Sequence, residues 1–162
     1  MKPGDLIGFE TSGLFAALIR FGQRLGRVKN WRVTHIAIVD EVLADGVAWL
    51  VQAVRTVDVV SLNDAYEGVP RHVLSWKGTN EDREDILRFG GEMVGMKYGV
   101  LTVVFRAINY LTPRFVRVNG ERKGRMDCSV LGARAWEHGG FVFPRDVDVW
   151  QITPGELVDR FS

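Results

Sequence analysis

The chain has 162 residues, of which 46% are hydrophobic, 25% charged and 10% aromatic, and its formal net charge is +1. This is the make-up of one ordinary globular domain over 1–162, which excludes disorder, collagen and coiled coil. A single cysteine excludes a disulfide framework, and without CxxC or HExxH spacing no metal or cofactor is expected. The start MKPGDLIGFE has no apolar h-region, and no apolar run approaches the ~18 residues needed to span a bilayer. A soluble protein is expected, cytoplasmic or of open location.

In chain order, Asp5 to Phe9 reads as a strand introduced by the turn signal Pro3-Gly4. Thr11 or Ser12 caps a helix whose apolar positions Leu14, Phe15, Leu18, Phe21, Gly22 and Leu25 follow a 3.6 period. Its polar side carries Arg20, Gln23 and Arg24, so the apolar side is expected to cover a sheet. Val33–Val42 and Val47–Val54 form a hairpin around Asp45-Gly46. Thr56 to Leu62 reads as a further extended piece, and His72, after Pro70, as a solvated loop residue.

A helix opened by Thr79 or Asn80 covers Glu81 to Met96 and is buried through Ile86, Phe89, Met93 and Val94. Val100 to Leu111 repeats at helical spacing until Pro113 ends it. Cys128 to His138 is helical, with Asp127 as N-cap and Gly139-Gly140 as the stop. Phe141–Phe143 and Val147–Ile152 read as late strands, and Thr153-Pro154-Gly155-Glu156 as a capping box opening a last helix. The fold class is α+β with an antiparallel sheet.

Charge is unevenly spread. Leu14 to Thr34 holds Arg20, Arg24, Arg27, Lys29 and Arg32 with no acid, and Pro113 to Arg125 holds Arg114, Arg117, Arg122, Lys123 and Arg125 against Glu121 alone. Such segregation steers anionic partners to one face. Nucleic acid is a weak candidate, because neither stretch has the aromatic interleaving or fold motif of a reader.

The sharpest chemical feature is MDCSVLGARAWEHGG, which puts Cys128 in the first turn of a helix behind Asp127. Free amides and the positive dipole end there favour the thiolate, which is the nucleophilic form, and can also hold an oxyanion. A cysteine nucleophile needs a base, in practice a histidine. His138 lies about ten residues, or ~15 Å, along the same helix and cannot reach the thiol. His35, in the apolar strand THIAIV, is the one placed on rigid structure that faces a helix start.

Strand alternation puts His35, Ala37 and Val39 on one face with Gln52, Val54 and Thr56. A two-residue turn at Asp45-Gly46 sets Val39 opposite Gln52 and His35 opposite Thr56, whereas a longer loop or a bulge brings Gln52 closer. Gln52, Thr56 and Asp58 therefore all remain open as the group that orients the imidazole.

PGDLIGF at the start, THIAIV around His35, DCSVLGARAWEHGG around Cys128 and ITPGELVD at the end together carry a resemblance. The chain resembles the circularly permuted, NlpC-like branch of the papain-fold cysteine hydrolases, which includes YiiX-like proteins and, more remotely, lecithin–retinol acyltransferases. In that branch the histidine strand precedes the cysteine helix, as it does here. The resemblance implies a permuted papain-like fold, Cys128 as nucleophile, His35 as base and Gln52 in the third polar position. That position is often glutamate in a strand reading IEA; here the strand reads VQA, and glutamine orients imidazole without adding charge. Tyr98, within GMKYG, falls near the cleft, and Asp127 and Ser129 flank the cysteine as expected substrate-binding positions.

The expected function is a thiol hydrolase or acyltransferase acting on an amide or ester through an acyl-enzyme, with a cell-wall peptide or a lipid acyl chain as substrate. One alternative is a catalytically weak binding module of the same fold. Another is a membrane-surface protein held through the basic first helix, with Arg20, Arg24 and Arg27, and Arg114, Arg117 and Arg122, as anionic contacts.

Overall fold

Four short, largely apolar segments and one polar edge segment make the main sheet: β1 (Leu6–Phe9), β2 (His35–Val42), β3 (Ala48–Ala53), β4 (Val57–Ser61) and, at the edge, β5 (Arg71–Leu74). The computed structural model describes residues 1–99 and 125–162. The strands lie in the order β4-β3-β2-β1-β5, every neighbouring pair antiparallel. A second, two-stranded sheet pairs β6 (Lys97–Tyr98) in parallel with β7 (Arg125–Met126). Five helices complete the described residues: α1 (Leu14–Leu25), α2 (Leu62–Tyr66), α3 (Asn80–Met93), α4 (Cys128–His138) and α5 (Pro154–Phe161). The protein is therefore mixed α+β, and no described helix is long and apolar enough to cross a membrane.

Alternation along the strands splits the core in two. Leu6, Ile36, Ile38 and Val51 pack with Ile86, Leu131, Trp136 and Leu157 from the helices. Ile7, Phe9, Ala37, Val39 and Leu50 face the other way, under Leu62 and Tyr66 of α2. Helix α4 lies close on the first face at Gly132, where a Cβ would stand 2.9 Å from Ile36 and 3.2 Å from Leu6. Its ends are those expected: Asp127 accepts from the Val130 amide at 3.1 Å, and Gly139 closes the helix. Capping boxes at Thr79–Asp82 and Thr153–Glu156 start α3 and α5.

Several expectations are corrected. The first helix is turned over relative to its sequence reading. Leu14, Leu18, Phe21 and Leu25 face outward, while Ala16, Gly22 and Gln23 are buried. The reason is polar. The Gln23 amide donates to the Trp31 and Val33 carbonyls, both at 2.8 Å, and its oxygen accepts from Gly155 N at 2.7 Å. Left unmade, those three bonds would strand buried polar groups at about 1–3 kcal/mol each, and Gln23 makes them only with this side of the helix packed inward. Arg20 turns inward as well, donating to the Thr11 carbonyl.

The extended piece expected up to Leu62 stops at Ser61, whose hydroxyl caps α2 by accepting from Asp64 N. His72 is not in a loop but in edge strand β5, opposite Gly8 and 3.4 Å from Glu10. Helix α3 ends at Met93, and Val94, expected to be buried, is 48% exposed. No strand forms over 141–152. Turns closed by Val147 N to Pro144 O and Gln151 N to Asp148 O replace it, and Phe141 and Phe143 pack edge-on against Phe161. The helix expected from Val100 to Leu111 and the cations Arg114, Arg117 and Arg122 lie outside the described residues.

Candidate active site

The hairpin brings the polar residues together. Instead of a two-residue turn, residues 43–47 form a loop closed by Leu43 N to Val47 O at 2.8 Å. A bulge at Asp40, between Val39 and Glu41, adds a further step. Together they slide the register two places, setting Ala37 opposite Gln52 and preserving which face each residue occupies. Gln52 thus becomes the diagonal neighbour of His35, close enough for contact.

His35 Nε2 lies 3.1 Å from Gln52 Oε1, and the Tyr66 hydroxyl donates to the same oxygen. A carbonyl oxygen only accepts, so Nε2 carries the proton and Nδ1 keeps its lone pair, the form a general base requires. The imidazole is held between rings as well, with centroids 5.7 Å from Tyr66 and 6.3 Å from Phe9, both stacked. His35 is buried, and that burial lowers its pKa from 6.5 to about 4, against the opposing pull of the Gln52 hydrogen bond. It is neutral at physiological pH.

Of the three groups left open by the sequence, Gln52 is the one bonded to His35. Asp58 stands directly across from Gln52 on β4, with Oδ1 buried and no hydrogen-bond partner among the described residues. Thr56 is exposed and bridges Lys97 on another strand.

Cys128 is the first residue of α4 and is 3% exposed. It packs in the core on the α4 side of the sheet, whereas His35, Gln52 and Tyr66 lie on the α2 side, and its charge is felt at Tyr66. The tyrosine hydroxyl is kept protonated far above its ordinary range by burial first, then by negative charge on Cys128 and on Asp58. Tyr98 pairs with Met126, two residues before the cysteine, and its ring meets Phe15 of α1 edge-on. Asp127 and Ser129 are buried and bonded within the fold: the Ser129 hydroxyl lies 2.9 Å from Asp127 Oδ1 and 2.8 Å from the Ile152 carbonyl. His138 is far along α4, its ring stacked on Phe89 at 4.2 Å.

Tyr66 is the site residue that sequence reasoning missed. Its signal was present in Ser61-Leu62-Asn63-Asp64, a serine followed three residues later by an acid, which marks a helix start. Among the described residues no group of three or more His, Cys, Asp or Glu is arranged to hold a metal ion. Compared with protein-family models and with curated proteins, the chain matches none.

Replacing Gln52 by leucine strands two buried donors, Nε2–H of His35 and O–H of Tyr66, and costs about 2 kcal/mol. Tyr66→Phe removes one donor and costs about 1 kcal/mol. In the double variant only one donor is left stranded, so its loss is smaller than the two single losses added together. Urea midpoints of the four proteins check this.

Proposed function

We propose that the chain is a thiol hydrolase or acyltransferase of the circularly permuted NlpC-like type, with Cys128 as nucleophile and His35 as base. The observation that carries this reading is the Gln52–His35 hydrogen bond. It fixes the Nε2–H tautomer and leaves Nδ1 as a base, in a network whose charge coupling reaches Cys128 through Tyr66. The order of elements, histidine strand before cysteine helix, agrees with the permuted arrangement.

In the proposed reaction the Cys128 thiol passes its proton to His35 Nδ1 as sulfur bonds to the carbonyl carbon of an ester or amide. Amides at the start of α4 stabilise the oxyanion. The imidazolium returns the proton to the leaving group as the carbonyl reforms, giving a thioester and a free alcohol or amine. Water, or an acceptor hydroxyl or amine, then attacks with His35 again taking the proton, and the imidazolium gives that proton to the sulfur as the C–S bond breaks and Cys128 leaves as the thiol. The substrate classes are a cell-wall peptide or a lipid acyl chain.

Alkylation of the only thiol by iodoacetamide tests the pair. At neutral pH, Cys128 should react faster than a model thiol, and His35→Ala should slow it to the model rate. Reaction at the model rate in both proteins would reject the assignment of His35 as the activating base. One observation favours a second reading, a binding module of the same fold: a neutral Gln52 beside a histidine of pKa about 4 makes a weak base. Indifference to His35 in the alkylation test is the outcome that selects it.

A further inference from the structure

The outward side of α1 is apolar where a surface helix is ordinarily polar. Leu14 is 91% exposed, Phe21 53%, Leu25 44% and Leu18 37%. At spacings of four, three and four these residues form one stripe along a helix about 18 Å long. The inverted helix is held this way by Gln23, so the exposed stripe is built into the fold.

Cations close the helix and follow it in the chain. Arg24, Arg27, Lys29 and Arg32 are all exposed, and no acid occurs between Leu14 and Thr34. Trp31 lies among them, with the Arg24 guanidinium 4.1 Å and that of Arg32 5.3 Å from its ring centre. Asp159, the acid against this loop, is occupied by the Lys29 and Asn30 amides at 2.8 and 2.9 Å. An exposed apolar stripe followed directly in the chain by a tryptophan and exposed cations is the chemistry of the water–lipid boundary. A second copy is disfavoured as occupant, because a two-fold contact would bring like charges together.

We propose that this face of α1 docks on an anionic phospholipid surface, with Leu14, Leu18, Phe21 and Leu25 entering the acyl boundary and the arginines and Lys29 meeting headgroup phosphates. The inference is independent of the thiol chemistry. It does bear on it: Thr11, just before α1, bonds through its amide and its hydroxyl to Thr34, the neighbour of His35, at 3.1 and 2.7 Å. A docked α1 therefore holds the site close to the lipid.

Co-sedimentation of the full chain with vesicles is the test, using phosphatidylcholine alone and an equal mixture with phosphatidylserine. The protein should pellet with the mixture only, and added salt should release it. Arg24→Gln and Lys29→Gln should each weaken binding about fivefold. The double variant Leu14→Glu, Phe21→Glu should abolish binding with its melting curve unchanged, since these are the two most exposed side chains of the stripe. Failure to sediment, or equal binding to both vesicles, overturns the proposal. So does a lowered melting point in the double variant, which would mean that the chain itself covers the stripe. A dimer that Phe21→Glu dissociates would assign the face to a second copy and overturn it too.

Discussion

Cys128→Ser should lower turnover of an activated ester by at least about 10³-fold and leave no covalent acyl adduct, while the wild type shows one acyl group on its only thiol by mass spectrometry. The fold should survive the exchange. Serine fits the space left by cysteine, and the cost of setting a hydroxyl in this buried position is about 1 kcal/mol, or about 2–4 °C in melting temperature. Activity and folding are thereby read separately. Equal turnover in the two proteins, with matching circular dichroism, removes Cys128 from the chemistry.

The second large effect is on stability against pH. In the unfolded chain His35 takes a proton near 6.5, but buried between Phe9 and Tyr66 it does so only near 4. Between those values the unfolded state binds more protons, so folding free energy rises with pH across the window and is lost as pH falls through it. The full swing from this group is about 3 kcal/mol. Asp40 acts in the opposite sense: burial first, and then the charge of Glu41, raise its carboxyl pKa, so its contribution declines as pH rises. The difference between wild type and His35→Gln, from urea unfolding at pH 7 and at pH 4, isolates the histidine. Identical pH slopes in the two proteins would mean that His35 is not buried as an unprotonated ring.

What was legible in the sequence was local. Asp127, Thr79 and Thr153 announce helix starts because a cap is a contract among residues three apart, and all three sit where expected. The alternation that puts His35 and Gln52 on one face needs only strand parity, which the loop and bulge preserve. The orientation of α1 was not legible. Periodicity reveals an apolar stripe but not which side packs, and here Gln23 decides through a partner, Gly155, 132 residues away. Strand β5 escaped because its Arg71 and His72 lie at a sheet edge, where polar residues are tolerated. The apolar run over 141–152 imitated strands because its phenylalanines serve an aromatic cluster rather than a ladder.

The hairpin at residues 43–47 has an evolutionary consequence. Its five-residue loop and the unpaired Asp40 each contribute one step to the register that seats Gln52 beside His35. Losing both steps would slide Thr56 opposite the imidazole, keeping a polar neighbour on the correct face. Losing one alone would turn Gln52 toward the layer of α4 and set Arg55 opposite the imidazole, where no acceptor meets Nε2–H. Length changes at this distant tip therefore act on the His35 network: in pairs they exchange the histidine's partner, and singly they delete it.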